Sequence, residues 1–231
     1  MPDTSISNIG NSRGGPLQPA LLIVLVVAAI GSCIAPPFPK DMLLQHAPTA
    51  VAIPLLAWSW RRFPLSDASF SLVILFMTLH VLGARYIYSY VPYDEWCRTL
   101  FGFTVSERMG WERNHYDRLV HGCYGLLLAY PTREMLIRLR AVSPGWSYFF
   151  AIEFIAATSM LYELGEWIVA MTFAPDWADR YLGQQGDMWD AQEDMALATA
   201  GATLAMVLTM AMRSRSPLTP VTSLPAGARG V

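Results

Sequence analysis

Long apolar segments recur along the chain and are separated by short polar stretches. Six of them approach the roughly 20 mostly apolar residues that a helix needs to cross a bilayer. They are residues 19–37, 42–60, 68–90, 116–137, 146–173 and 189–212. Prolines inside them, such as Pro48 and Pro54, are tolerated where neighbouring helices satisfy the freed carbonyl groups. The pattern predicts an all-α, polytopic transmembrane bundle of about six helices.

The composition agrees with a chain embedded in a lipid bilayer. Of its 231 residues, 54% are hydrophobic and only 15% are charged. A soluble core of this size rarely hides so much apolar surface. The net charge of −2 and the absence of a basic run argue against nucleic acid as a partner. The three cysteines follow no CxxC spacing, so they predict neither a disulfide framework nor a thiolate zinc site.

The two ends of the chain differ from its middle. Residues 1–18 are rich in Ser, Gly and Asn, and residues 213–231 are rich in Pro, Ser, Thr and Gly. Segments with so few apolar residues are typical of disorder. The sequence therefore predicts a transmembrane domain over residues 19–212, flanked by two disordered cytoplasmic tails.

The arginines indicate how the bundle is oriented. Short cytoplasmic loops carry an excess of Lys and Arg. With the N-terminus inside, the cytoplasmic side receives Arg13, Arg61, Arg62, Arg133, Arg138, Arg140, Arg213, Arg215 and Arg229. Outside the polar region from Arg85 to Arg118, the other side receives only Lys40 and Arg180. Both termini are therefore predicted to be cytoplasmic.

This orientation brings ionisable residues from four separate segments to the extracytoplasmic end of the bundle. Charges within membrane segments are expensive and are functional candidates by default. The candidates are His80, Arg85, Arg113, His115, Asp117, Arg118, His121, Glu163, Glu166, Asp187, Asp190 and Asp194.

Helical spacing places several of these residues on common faces. Asp117 and His121 are four positions apart, and Glu163 and Glu166 are three apart. Residues at these spacings lie on one side of a helix. If the last helix begins near residue 187, its acidic residues form one stripe, made of Asp187, Asp190 and Asp194.

The balance of charge in this region favours a bound cation. Six carboxylates converge there, and the three arginines can neutralise three at most. Buried carboxylates without partners must take up protons or bind a cation. Histidines and carboxylates together are the usual ligands of Zn²⁺, Fe²⁺ or Mn²⁺. The sequence thus predicts a divalent metal ion of unknown identity, with ligands drawn from His80, His115, Asp117, His121, Glu163, Asp190 and Asp194.

Each candidate also has a structural interpretation. His80 could form a hydrogen bond inside the bundle, and Asp117 could pair with a neighbouring arginine. Asp187 follows Gly186 and could cap the last helix. The ExxE and DxxxH spacings match no specific metal motif. The prediction rests on the whole set of residues more than on any one of them.

The residues of this site are compatible with three alternative functions. The first is a metal-dependent enzyme acting on a lipid or lipid-linked substrate at the extracytoplasmic leaflet. Its catalytic residues would be Glu163, Glu166 and Asp187, and its substrate-binding residues would be Arg85, Arg113 and Arg118. The second is a cation- or proton-coupled transporter, although the charges lie near one face and no internal repeat is evident. The third is a non-catalytic scaffold whose ion pairs fix helix packing.

At these motifs the chain resembles a family of bacterial inner-membrane proteins of unknown function, the YjdF-like family. The resemblance runs from the second segment to the end of the sixth. It rests on Arg61-Arg62-Phe63-Pro64, on Asn114-His115-Tyr116-Asp117-Arg118 with His121, on Tyr162-Glu163 with Glu166-Trp167, and on Gly186-Asp187 with Trp189-Asp190 and Asp194. Val120 departs from it, since a small residue is expected before His121. The resemblance implies a multi-pass protein of the bacterial inner (cytoplasmic) membrane and supplies no activity, substrate or cofactor.

We expect both termini to face the cytoplasm and residues 111–121 to face the outside, because the arginine excess lies on the side of the termini. Fusions to alkaline phosphatase and to green fluorescent protein at each loop measure this topology. A fluorescent fusion of green fluorescent protein near Gly102 would reverse the assignment.

Overall fold

The computed structural model describes residues 15–173 and 185–215, and all regular structure within these ranges is helical. The predicted tails lie largely outside the described residues. The helices are α1 (Leu17–Ser32), α2 (Pro39–Gln45), α3 (Ala47–Arg62), α4 (Asp67–Arg85), α5 (Tyr93–Phe101), α6 (Val105–Met109), α7 (Tyr116–Arg138), α8 (Ser147–Phe173) and α9 (Asp190–Arg215). The predicted all-α class is confirmed.

Helix α7 is the central element of the bundle. It packs against α4, α8 and α9, while α1 packs on α3 and α4 at the far side. One buried cluster joins α7, α8 and α9 through Ala129, Ile155 and Ala202. A second joins α1, α3 and α4 through Leu25, Leu56, Phe70 and other apolar residues. The ionisable residues of α7 are therefore surrounded by protein on several sides.

In the described part of the chain, three helices are long and apolar enough to cross a membrane, judged by length and composition alone. They are Asp67–Arg85, Ser147–Thr172 within α8, and Asp190–Met212 within α9. Helix α1 is apolar but shorter, and the second predicted segment is divided at His46 into α2 and α3. The helical membrane bundle is confirmed, and the count of six spans stays a prediction.

Two predicted segments end earlier in the structure than in the sequence analysis. The first was expected to reach residue 37, but α1 ends at Ser32, and Ala35 adopts a left-handed φ of 44° before two prolines. The third was expected to reach residue 90, but α4 ends at Arg85. There Ile87 and Tyr88 adopt φ angles of 45° and 55°, which turn the chain back over α4.

Helices α7 and α9 approach each other at two glycines. A Cβ added to Gly125 would overlap the backbone carbonyl of Ala198 and lie 2.7 Å from the nitrogen of Ala202. A Cβ on Gly201 would likewise overlap the carbonyl of Gly122. Small residues at a helix crossing allow two backbones to approach closely in a membrane. This close approach brings the first turn of α9 beside the first turn of α7.

A polar network that the sequence analysis did not predict closes the opposite end of the bundle. The backbone N–H of Ser66 donates to Glu134 Oε1 at 2.7 Å, and the hydroxyl of Ser69 donates to Glu134 Oε2. Arg138 Nη1 donates to Glu134 Oε1 at 2.9 Å and also to the carbonyl of Pro64. Glu134 thus binds the N-terminus of α4, where an anionic side chain is stabilised.

We expect Gly125→Ala to lower the thermal midpoint of the purified protein, because the added methyl group forces α7 and α9 apart. Overpacking of this kind typically costs about 1–3 kcal/mol. The matched control is Gly165→Ala on α8, where nothing lies within 4 Å of an added Cβ. There the change should be neutral or stabilising by up to about 1 kcal/mol, the helix-propensity difference. Equal effects of the two substitutions would contradict the close crossing.

Candidate metal centre

Three helices converge on one polar region. Its acidic and histidine side chains come from the first turns of α7, from the second half of α8 and from the first turns of α9. Within each helix the contributing residues are three or four positions apart, as Asp117 and His121 are, and therefore share a face. The structure divides this region into two clusters with different electrostatics.

The first, the arginine cluster, consists of Arg113, Arg118, Asp187, Asp190 and Glu193. Arg113 forms an ion pair with Asp190 and lies 3.5 Å from Asp187. Arg118 bonds to Asp187 and Glu193, and lies 3.7 Å from Asp190. Both guanidinium groups are largely buried, and each faces at least two carboxylates. These arginines therefore have acidic partners within the protein.

Reciprocal hydrogen bonds between two loops align the arginine cluster. The backbone N–H of Asn114 donates to the side-chain oxygen of Gln185, and the Gln185 amide donates to the Asn114 carbonyl, both at 3.0 Å. The side chain of Asn114 also donates to the carbonyl of Val91 and accepts from the N–H of Tyr116. The loop before α7 is thereby bound to the loop before α9, next to Arg113.

The second, the acid cluster, consists of Asp117, His121, Glu163, Glu166 and Asp194. One ligand atom from each of Asp117, His121 and Asp194 can be chosen so that all three lie within 4.8 Å of one another. His121 Nε2 is 3.7 Å from Asp117 Oδ1 and 3.4 Å from Glu163 Oε1. Because nitrogen and oxygen ligands lie about 2.0–2.2 Å from a bound Zn²⁺, these side chains would have to move closer together to share one ion.

Two carboxylate oxygens of the acid cluster are buried without a hydrogen bond in the described part of the chain. They are Oδ1 of Asp194, whose residue is only 2% exposed, and Oε1 of Glu163. A buried carboxylate oxygen without a donor has lost its hydration and has not replaced it, which is unfavourable. A metal ion or a proton would satisfy these atoms.

Glu166 lies beside the three potential ligands rather than among them. Its carboxylate interacts electrostatically with Asp117 and Glu163, and Tyr162 lies one helical turn earlier on the same side of α8. Glu166 is therefore a neighbour of the acid cluster's potential ligands.

Asp187, predicted as catalytic, belongs to the arginine cluster. Its Oδ1 accepts from the N–H of Trp189 at 2.9 Å, and its Oδ2 accepts from Arg118. The Trp189 hydrogen bond, followed by the Arg118 guanidinium, holds the pKa of Asp187 below its ordinary value. Asp187 is therefore ionised at neutral pH and lies at the entry to α9, where it helps to cap that helix.

Asp190, predicted as a metal ligand, also lies in the arginine cluster. Its carboxylate is occupied by Arg113, with Arg118 nearby. Glu193 was not among the predicted site residues, yet it pairs with Arg118. Its position three residues after Asp190 in the same first turn is the signal that could have identified it.

His115 and Arg85 lie outside the acid cluster. The ring of His115 packs on Trp111 with centroids 4.4 Å apart, and its Nδ1 is 3.5 Å from Arg118. Burial, followed by the charges of Arg118 and Arg113, holds the pKa of His115 below its ordinary value. Arg85 donates to the carbonyls of Ser32 and other residues just past α1, so it binds the end of that helix.

His80 is buried between α4 and the turn that follows it. Its Nδ1 is 2.5 Å from the hydroxyl of Tyr88. Its Nε2 has no hydrogen-bond partner in the described part of the chain. Although it is not among the grouped ligand atoms, His80 lines the same cavity as Asp117 and His121.

The acid cluster lies between two spaces. The inner cavity, of about 160 Å³, is bounded by α4, α7 and α8 and includes Asp117 and His121 in its wall. The lateral groove, of about 290 Å³, lies between α8 and α9 and includes Glu163, Trp167 and Met188. A metal ion held by the acid cluster would therefore be accessible from both sides.

Comparisons with known proteins give a family. The family model described as "Predicted membrane protein (DUF2238)" matches residues 17–215. "Inner membrane protein YjdF" of Escherichia coli (strain K12) is 36% identical over 166 residues, which cover 71% of this chain and 75% of that protein. No solved structure gives a significant match. These similarities are to membrane proteins whose names state no activity, substrate or metal.

We expect Asp190→Asn and Arg113→Gln each to destabilise the protein by up to roughly 3–5 kcal/mol, because each removes the nearest ion-pair partner of a buried charge and leaves a more distant one. The double variant should be less destabilised than the sum of the two, which a double-mutant cycle of thermal or chemical unfolding in detergent measures.

The control cycle is Arg98→Gln with Glu107→Gln. That pair is 3.4 Å apart with side chains 65% and 71% exposed, so its coupling should stay below about 1 kcal/mol. Additive effects for Arg113 and Asp190 would contradict their assignment as a structural pair.

Proposed function

The chain belongs to the DUF2238 family of predicted membrane proteins, and on that premise we propose that its acid cluster binds a divalent metal ion. Asp117, His121 and Asp194 are the protein ligands, and Glu163 stands beside them. The metal serves a membrane-embedded enzyme that acts on a lipid or lipid-linked substrate at the extracytoplasmic leaflet. The protein is in this view a metal-dependent enzyme of the bacterial inner membrane.

One observation carries the metal proposal. A nitrogen and two carboxylate oxygens, from three side chains of α7 and α9, lie within 4.8 Å of one another. One of those side chains, Asp194, is buried, and its Oδ1 makes no hydrogen bond with the residues that the structure describes. A mixed nitrogen and oxygen ligand set suits Zn²⁺, Mn²⁺ or Fe²⁺.

The distribution of the arginines between the two clusters supports a bound cation in the acid cluster. The ion pairs of Arg113 and Arg118 are with Asp187, Asp190 and Glu193. In the described residues, the ion pairs of Asp117 and Glu163 are with His121, a single imidazole. Ionised carboxylates that converge in a buried region repel one another, and a divalent ion offsets that repulsion.

The same distribution of arginines argues against a scaffold made only of ion pairs. The arginine cluster fits that role, because both arginines form ion pairs with its acids. The acid cluster does not fit it, because its side chains are all acidic except for His121. Ion pairs alone do not account for the oxygens of Glu163 and Asp194 that lack hydrogen bonds among the described residues.

A metal ion in this position supports hydrolytic or group-transfer chemistry. Bound Zn²⁺ or Mn²⁺ lowers the pKa of a coordinated water or polarises a carbonyl or phosphoryl oxygen. Glu163, with its oxygen 3.4 Å from His121 Nε2, is placed to accept a proton from such a water. Glu166, one helical turn from Glu163 on α8, can fulfil a similar role.

The lateral groove supports a substrate that arrives through the bilayer. It is lined by Glu163 together with methionine, leucine and tryptophan side chains, and Leu164, Trp167 and Met188 are exposed. On a membrane helix, exposed apolar residues of this kind face lipid. A lipid-linked molecule can therefore reach Glu163 without leaving the membrane.

We expect the purified protein to contain a stoichiometric transition metal, and Asp194→Asn and His121→Gln to lose it while remaining folded. Each substitution retains much of the side chain's size but removes a charge or a nitrogen ligand. Elemental analysis of protein in detergent, with thermal melts in the presence and absence of a chelator, measures both quantities. The wild type should be destabilised by the chelator, and the two variants should be indifferent to it.

The matched control is Glu95→Gln, which removes one exposed carboxylate of α5 that lies outside both clusters. This variant should retain the metal and the response to chelator. A metal-free wild type whose melting is unaffected by chelator would contradict the metal proposal and favour protonated acids, as in a proton-coupled carrier.

A further inference from the structure

The inner cavity touches the candidate metal site but is not explained by it. Asp117 and His121 form one part of its wall, and the remainder comes from other residues of α7, from α3, α4 and α8, and from Tyr88. Its lining is mainly apolar and aromatic, with Phe76, Met77 and Tyr124 among the contributors. A ligand in this space would lie directly against two of the proposed metal ligands.

Two polar atoms on the cavity wall lack hydrogen bonds in the described part of the chain. His80 is 4% exposed and its Nε2 is unpartnered, and Ser159 is 2% exposed with an unpartnered Oγ. Both residues line the cavity, from α4 and α8 respectively. Whichever His80 nitrogen carries the proton, Nε2 remains one unused donor or acceptor. Buried polar atoms of this kind indicate a hydrogen-bonding ligand.

The side chains around the cavity indicate that the group inside it is uncharged. A phosphate or carboxylate would need a cationic partner, and the arginines predicted to bind one are occupied elsewhere. Arg113 and Arg118 form their ion pairs in the arginine cluster, and Arg85 binds the end of α1. An anionic oxygen of the substrate would therefore have to bind the proposed metal ion, held by Asp117 and His121, while the remainder of the cavity suits an uncharged group.

The volume of the cavity indicates the size of the ligand. Its volume of about 160 Å³ is close to that of an engineered apolar cavity in another protein, of about 150 Å³, which binds benzene. A flat ring or a short branched chain fills such a space, whereas a whole lipid does not. The two unpartnered polar atoms add room for one hydroxyl or carbonyl group.

We propose that the inner cavity binds the reacting end of the substrate, an uncharged, ring-sized group that carries a hydroxyl or carbonyl oxygen, with His80 and Ser159 as its hydrogen-bonding partners. This inference rests on the proposed function, because the metal site supplies the chemistry next to the cavity. It names the group in the cavity as the neutral part of an ester, amide, ether or alcohol of a membrane lipid, and any anionic oxygen of the substrate would lie on the metal ion.

Binding of simple probes tests the cavity separately from the metal. Fluorine NMR of the full chain in nanodiscs measures binding of para-fluorophenol, fluorobenzene and para-fluorophenyl phosphate. Empty nanodiscs provide the background, and a chelator is present so that a bound metal cannot attract the phosphate. We expect para-fluorophenol to bind best, fluorobenzene to bind more weakly and the phosphate to show no binding. Preference for the phosphate, or no binding of para-fluorophenol, would overturn the proposal.

Variants of α8 assign the binding to the cavity. Ser159→Ala retains the space but removes the hydroxyl, so para-fluorophenol should bind about tenfold more weakly while fluorobenzene is unaffected. Ser159→Leu fills the cavity and should abolish binding of both. The control is Leu161→Phe on the exposed face of α8, which adds bulk outside the cavity and should change neither. Equal binding by Ser159→Leu and the wild type would also overturn the proposal.

The outcomes separate this inference from the metal proposal. If para-fluorophenol binds to a protein that is purified without metal, the cavity remains a ligand site and the metal proposal is contradicted. If the protein contains a stoichiometric metal but binds no probe, the metal proposal stands and the substrate class is overturned.

Discussion

The structure depends on one constraint: the ionisable residues of α7 must be enclosed by other helices. A helix that carries Asp117, Arg118, His121 and Glu134 cannot expose these groups to hydrocarbon without a large cost. Helices α4, α8 and α9 therefore pack around it. The closest of these contacts is with α9, where Gly125 and Gly201 let the two backbones approach. That crossing places the acidic first turn of α9 against the polar first turn of α7.

This contact between α7 and α9 creates two neighbouring clusters whose charges are balanced in different ways. In the arginine cluster, two guanidinium groups form ion pairs with three carboxylates and join the start of α7 to the start of α9. In the acid cluster, the carboxylates meet only His121 as an ion-pair partner among the described contacts. A stable fold can contain such a cluster if it binds protons or a cation. The first cluster therefore holds the second in place, and the second is available for a ligand.

The surroundings of the acid cluster suit a reaction within the membrane. The lateral groove, with Trp167 and Met188 in its wall, gives an apolar approach between α8 and α9, and the inner cavity adds a small, mainly apolar space on the other side. A metal ion between them would meet a substrate that remains in the bilayer while its polar end occupies the cavity. Positioning by rigid helices is the usual requirement for a precise metal site.

The sequence by itself determined the class of fold and the neighbourhood of the site. Apolar segments of membrane-spanning length require helices, and the phase of 3.6 residues places Asp117 beside His121 and Glu163 beside Glu166. Only the tertiary structure decided which acid meets which partner. Asp190 pairs with Arg113, Asp194 lies beside Asp117 and His121, and Arg85 lies at the end of α1. Helical periodicity specifies the face of a residue, but the rotation and crossing of neighbouring helices specify its contacts. Those depend on small residues such as Gly125, whose importance only the packing reveals.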